Sequence, residues 1–137
     1  MMEEVSDRES RMDTDELLNG IVGAAIEVHR HLGPGLLEST YQRCLLIELD
    51  QKGLSYDTEV PVTVEYKGEV ILDAYRVDVL VENTIVLELK AVENLTAKHK
   101  AQLLTYLKLL NKHIGLLINF NEILLKDGIR RVINGYH

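Results

Sequence analysis

DVLVENTIVLELK, residues 78–90, sets two runs of Val, Leu and Ile on either side of Glu82-Asn83-Thr84. Aliphatic runs about a short polar turn read as a β-hairpin whose strands bury at least one face. With Asn83 at the tip, Asp78 lies opposite Glu88. Directly opposed side chains of an antiparallel pair sit roughly 5 Å apart, and like charges there repel. Period two puts Val77, Val79, Val81, Ile85, Leu87 and Leu89 on one face, the expected core face. Arg76, Asp78, Leu80, Val86, Glu88 and Lys90 take the other. Two carboxylates and a lysine therefore meet on one patch, with Lys90 diagonal to Asp78.

Two readings account for that patch. A hard divalent cation such as Mg²⁺ takes oxygen ligands, commonly one or two carboxylates with waters and substrate phosphates. Such an ion turns the repulsion into coordination, and a lysine beside it can position or deprotonate water or stabilise charge on phosphate. In the other reading, Arg76 and Lys90 merely neutralise the acids in a surface salt-bridge cluster. Geometry alone does not separate the two.

Outward from the hairpin, the apolar period changes with each segment. Leu17/Leu18, Ile21/Val22, Ala25/Ile26, Val28 and Leu32 form one stripe of a helix capped at Asp13 or Thr14 and stopped by Gly33-Pro34-Gly35. A second helix is expected over about residues 36–52, with Leu37, Tyr41, Cys44, Leu45 and Leu49 on one side. From Leu54 the period is two. Residues 60–66 read as a strand, and Pro61 marks it as an edge or a strand start. Residues 95–110 are helical again, with Ala101, Leu104 and Leu107 inward and Leu103 and Leu110 as further candidates. HIGLLINF, residues 113–120, is a buried strand, and residues 123–134 add one more strand or strand-like edge. This order suits an α/β fold over residues 13–137, with a mixed central β-sheet flanked by α-helices. Residues 1–12 are acidic, aperiodic and expected to be disordered.

The 137 residues are 46% hydrophobic and 27% charged, ordinary for a soluble globular protein. No apolar run approaches the ~20 residues of a membrane span, and the acidic start is unlike a signal peptide, so no membrane partner is expected. The single cysteine, Cys44, excludes an internal disulfide and fits a reducing cytoplasm. A net charge of −7 argues against general nucleic-acid binding, but the charge is uneven. Residues 1–89 hold 7 Lys/Arg against 19 Asp/Glu, whereas residues 90–137 hold 8 against 3. A polyanion would meet the later part first.

Asp78 … Glu88-Leu89-Lys90, on two antiparallel strands followed by a helix and a strand, resembles the PD-(D/E)XK nuclease superfamily. The resemblance spans residues 14–134 and implies a restriction-endonuclease-like core of αβββαβ order. It further implies that Asp78, Glu88 and the Leu89 carbonyl hold Mg²⁺, with Mn²⁺ a possible substitute, while Lys90 assists the attacking water. Gly35-Leu36-Leu37-Glu38-Ser39-Thr40-Tyr41 matches the motif that names the GxxExxY family, which places Glu38 at the metal site as an upstream helical acid. Gln102-Leu103-Leu104-Thr105-Tyr106 looks like the QxxxY motif of the RecB-like and lambda-exonuclease-like branch. There Gln102 supports catalysis and Tyr106 the substrate; His99 and Lys98 are further candidates for phosphate. The departures are that Arg76-Val77-Asp78 replaces Pro-Asp, and that no strongly basic arm supplies several phosphate contacts.

The function so implied is Mg²⁺-dependent hydrolysis of nucleic-acid phosphodiester bonds, DNA ahead of RNA. A homodimer or a partner protein could supply substrate recognition. Two other classes stand beside it. One is a non-catalytic nuclease-fold module that binds nucleic acid or a partner protein. The other is a structural homo-oligomer in which the charged hairpin rims the interface.

Overall fold

The computed structural model describes residues 13–135, so the expected disordered tail and His137 lie outside the described residues. Helix α1 (Thr14–Leu32) starts at an Asp13 cap and ends at Gly33, followed by α2 (Glu38–Gln51). Strands β1 (Tyr56–Tyr66), β2 (Glu69–Val81) and β3 (Ile85–Lys90) come next, then α3 (Ala97–Leu110). Strand β4 (Ile114–Asn119), a 3₁₀ turn (Leu125–Gly128) and β5 (Ile129–Ile133) complete the order.

The five strands lie in the order β1-β2-β3-β4-β5. Neighbours are antiparallel except β3 and β4, which run parallel. A parallel neighbour needs a long crossover, and α3 provides it. The sheet is therefore mixed with helices on both faces, as the α/β reading expects. Pro61 lies on β1, an edge strand, where its missing N–H leaves no central ladder bond unmade.

Each face of the sheet has its own core. Leu17, Ile21 and Ala25 of α1 and Tyr41, Leu45 and Leu49 of α2 pack on Val79, Val81, Ile85, Leu87 and Leu89. On the opposite face Leu103, Tyr106 and Leu107 of α3 pack on Leu80, Val86, Leu117 and Val132. Strands β3 and β4 are consequently buried on both sides, the condition that makes a near-continuous apolar run. Each such Leu, Ile or Val contributes roughly 1.5–3 kcal/mol by leaving water.

Five expectations need correction. Ile26 and Leu32, placed on the apolar stripe of α1, are 43% and 37% exposed, because the face that meets the sheet is Leu17, Leu18, Ile21, Ala24, Ala25 and Val28. Leu80 and Val86 belong to a second core rather than a polar face, because α3 covers them. Val77 joins that core as well, although Val79 faces the other way. The change of face occurs at Asp78, where Glu59 of the neighbouring strand has a left-handed backbone (φ 49°). Leu37 caps α2 and is 74% exposed, so the buried face begins at Tyr41. Ala101 is exposed, and α3 turns Leu103, Tyr106 and Leu107 inward. Gly115 permits that rotation: a Cβ there would meet Leu103 Cδ1 at 3.0 Å.

Candidate active site

The β2–β3 ladder runs Val81↔Ile85, Leu80↔Val86, Val79↔Leu87, the register that an Asn83 tip dictates. It stops one step short of Asp78 and Glu88. There each carboxylate turns onto the other strand's backbone: the Asp78 N–H donates to Glu88 Oε2 (2.8 Å), and the Leu89 N–H donates to Asp78 Oδ2 (2.7 Å). The two acids thus replace the ladder bonds where the strands part. Hydrogen bonds to ionised groups run about 1.5–3 kcal/mol, which offsets part of the like-charge repulsion. It does not remove it. Burial, then the Asp78 charge, push the Glu88 carboxyl up to about 7, against smaller opposing effects of the Asp78 N–H and Lys90. Asp78 is raised too, chiefly by burial, with the Glu59 charge adding to it.

Lys90 ends β3, half-buried, close enough that its charge favours the ionised form of both acids. Among the described residues its side chain makes no hydrogen bond or salt bridge, so its ammonium is uncommitted. Its carbonyl accepts from the Phe120 N–H (2.8 Å) on the β4 side. Carbonyls alternate along a strand, so the Leu89 carbonyl points to the Asp78 side. Fully buried Asn119 fixes this strand end. It accepts from the Val92 N–H (3.0 Å) and donates to the Val92 carbonyl (2.8 Å).

The segment that presents Glu38 is held by Tyr41. Gly33 and Gly35 both take positive φ (67° and 103°), which reverses the chain between the helices. The Tyr41 hydroxyl donates to the Gly33 carbonyl (2.6 Å) and accepts from the Leu36 N–H (3.1 Å). Its ring stacks on Phe120 with centroids 4.5 Å apart. Tyr41 is thus a latch on the turn, with a fully buried ring. Tyr41→Phe is expected to cost about 1–3 kcal/mol, because both loop groups lose their partner. Urea denaturation would measure that cost, and a change within about 0.3 kcal/mol would show that the latch contributes nothing.

Glu38 itself is exposed at the start of α2, yet its charge raises both Asp78 and Glu88. One turn on, Gln42 Nε2 donates to Glu59 Oε2 (3.2 Å) and to the Asp78 carbonyl (3.4 Å). Residues i and i+4 share a helix face, so the face bearing Glu38 is the one docked at Asp78. Glu59, between the pairs Thr58↔Val79 and Val60↔Val77, stands opposite Asp78 on β1. Gln42, Glu59 and Asn119 were not singled out from sequence. The only local signal was the Glu38/Gln42 spacing.

Helix α3 brings Tyr106 to the same place: its hydroxyl is raised by burial and then by the Glu88 charge. Gln102, one turn earlier, and Lys98 are exposed, and their side chains make no hydrogen bond or ion pair among the described residues. His99 closes a capping box, its Nδ1 accepting from the Thr96 N–H (3.0 Å). An apolar cleft lined by Ile26, His29, Ile123 and Leu124 lies elsewhere and includes none of these acids.

The model of the PD-(D/E)XK nuclease superfamily matches residues 15–132. The chain belongs to this superfamily. A solved structure of SSO0001 is similar at TM-score 0.54 and 23% identity, over 73% of this chain and 52% of that one. The match thus spans about half of the SSO0001 chain, and it shows the shared fold. No curated protein matches.

PD-(D/E)XK nucleases typically depend on a divalent metal, so the donor set must be tested against one. Among the described residues no three His, Cys, Asp or Glu side chains stand in metal-ligating proximity. The helical acid is therefore not drawn in to complete a triad. What exists is a pair of carboxylates, each with one oxygen engaged by a backbone N–H. No buried side-chain oxygen among the described residues lacks a partner, so the two remaining carboxylate oxygens reach the surface. Two carboxylates and a carbonyl, with water and phosphate oxygens to finish the shell, fit a hard cation of the Mg²⁺ kind.

Proposed function

We propose that this chain is a Mg²⁺-dependent nuclease that hydrolyses phosphodiester bonds, with DNA its first substrate and Mn²⁺ an effective substitute. The observation that carries the reading is the reciprocal Asp78/Glu88 pair, electrostatically frustrated and partly open, beside the uncommitted Lys90 ammonium. Asp78, Glu88 and the Leu89 carbonyl would hold the ion, with Glu38 closing from its helix end. The bound cation would supply Lewis acidity towards a phosphate oxygen and towards water.

The chain's own groups do the remainder. Lys90 orients the attacking water and stabilises the negative charge that builds on phosphate. Tyr106, whose hydroxyl feels the Glu88 charge, supports the substrate from the α3 side. Gln102, Lys98 and His99 form the outer support for phosphates, reached when substrate lies along α3. The division of labour among Gly35, Glu38 and Tyr41 supports placement in the GxxExxY family, and Gln102 with Tyr106 supports the RecB-like branch. A homodimer or a partner protein would extend the substrate-binding surface.

The test is cleavage of labelled single-stranded DNA, duplex DNA and RNA with Mg²⁺, with Mn²⁺ and with a chelator. Cleavage of at least one DNA substrate is expected with either cation, with a loss of at least about 100-fold on chelation. Cleavage that persists in chelator would exclude this site. No cleavage in either cation would favour the non-catalytic nucleic-acid-binding module.

A further inference from the structure

Tyr75 lies on β2, three residues before Asp78 and so about 10 Å along the strand. The residue is 51% exposed, although it is paired to β1 within the sheet. Tyr106 backs it, with ring centroids 5.5 Å apart and planes inclined by 45°. Tyr106 is itself only 6% exposed and feels the charges of Glu88 and Asp78. The exposed ring is therefore propped on the same buried residue that abuts the site.

The backbone around Tyr75 is irregular. Val62↔Tyr75 is the last regular β1–β2 pair before the register shifts, and Asp73, inside the shift, has φ 56°. Bulges of this kind re-aim side chains and recur next to active sites. Arg76, the next residue, pairs with Asp73 at 2.8 Å within the same irregular stretch. Lys90 at the end of β3 and exposed Lys98 on α3 suit the phosphate.

We propose that Tyr75 is a stacking platform for an unpaired nucleobase next to the scissile phosphate, so that the favoured substrate is single-stranded or frayed nucleic acid. The inference rests on the nucleic-acid reading above and deepens it. Bases in an intact duplex already have both faces stacked, whereas an unpaired base leaves a face free for an aromatic ring.

The chain contains no tryptophan, so Tyr75→Trp introduces a sole indole at the proposed contact. In Ca²⁺, oligothymidine is expected to quench that indole, and an abasic oligomer of equal length is not. Tyr75→Ala should weaken oligothymidine binding by about 10- to 100-fold, leave abasic binding unchanged and be rescued by Tyr75→Phe. Oligothymidine binding without quenching, or equal weakening for both oligomers, would overturn the platform and leave the nuclease reading standing. If the wild-type chain bound no oligomer at all, both would fall.

Discussion

Lys90→Ala is expected to lower kcat by about 100- to 1000-fold, the range for losing one group that stabilises developing charge. The fold should survive, because the Lys90 side chain makes no hydrogen bond or salt bridge among the described residues and the strand end is held otherwise. The Phe120 N–H to Lys90 carbonyl bond and the Asn119 clamp on Val92 involve no lysine side-chain atom. A second consequence follows from the electrostatics. Lys90 favours ionised Asp78 and Glu88, so its loss raises both carboxyls further and makes cation binding more dependent on high pH. The pH–rate profile of the residual activity should shift upward. Lys90→Arg keeps the charge, so it should restore the profile without restoring kcat, because a planar fork presents its donors differently. Rates near wild type for the alanine variant, with metal dependence intact, would remove Lys90 from the mechanism.

The parts legible in sequence were those set by local periodicity. The 78–90 hairpin kept its register because the tip and the period of two leave one pairing that buries Ile85 and Leu87. HIGLLINF read as a buried strand because both of its faces are covered. The face assignments failed where coverage is decided from far along the chain. Leu80 and Val86 have the spacing of an outer face, and only α3 makes that face a core. Helix α3 in turn needs Gly115, whose missing Cβ admits Leu103. The site divided in the same way. Asp78, Glu88 and Lys90 converge because of a hairpin, which is local. Gln42 reaches an acceptor 36 residues away and Asn119 one 27 residues away, and no short-range pattern marks either. Glu59 was hidden for another reason: its opposition to Asp78 depends on a positive φ in a non-glycine residue, a strained state that the surrounding structure must impose.

The crowding of acids at Asp78 has a measurable counterpart in Glu88. The metal-free protein is expected to be less stable at pH 8 than at pH 5, the reverse of the usual carboxylate dependence. Glu88, only 6% exposed, is pushed from 4.5 up to about 7, first by burial and then by the Asp78 charge. Between those values the unfolded chain ionises while the folded side chain keeps its proton. The unfolded state then binds fewer protons, and stability falls as pH rises through the window. Above about 7 the folded side chain ionises too, and the loss levels off at roughly 3 kcal/mol. Asp78 is raised as well and works in the same direction. Glu27 and Glu82 are lowered and oppose the trend, but both are solvent-screened and contribute little. Glu88→Gln isolates the effect, since its amide oxygen can still accept the Asp78 N–H while nothing ionises. Between pH 5 and 8 its stability should change less than that of the wild type, and at pH 8 the variant should be the more stable protein. Millimolar Mg²⁺ should raise the wild-type Tm at pH 8, barely at pH 5, and not in Glu88→Gln, because the ion binds the folded, ionised pair alone. Thermal denaturation across pH with and without Mg²⁺ reads all three. A wild-type slope matching that of the variant would mean that Glu88 ionises freely and that the acid pair holds no frustration for a cation to relieve.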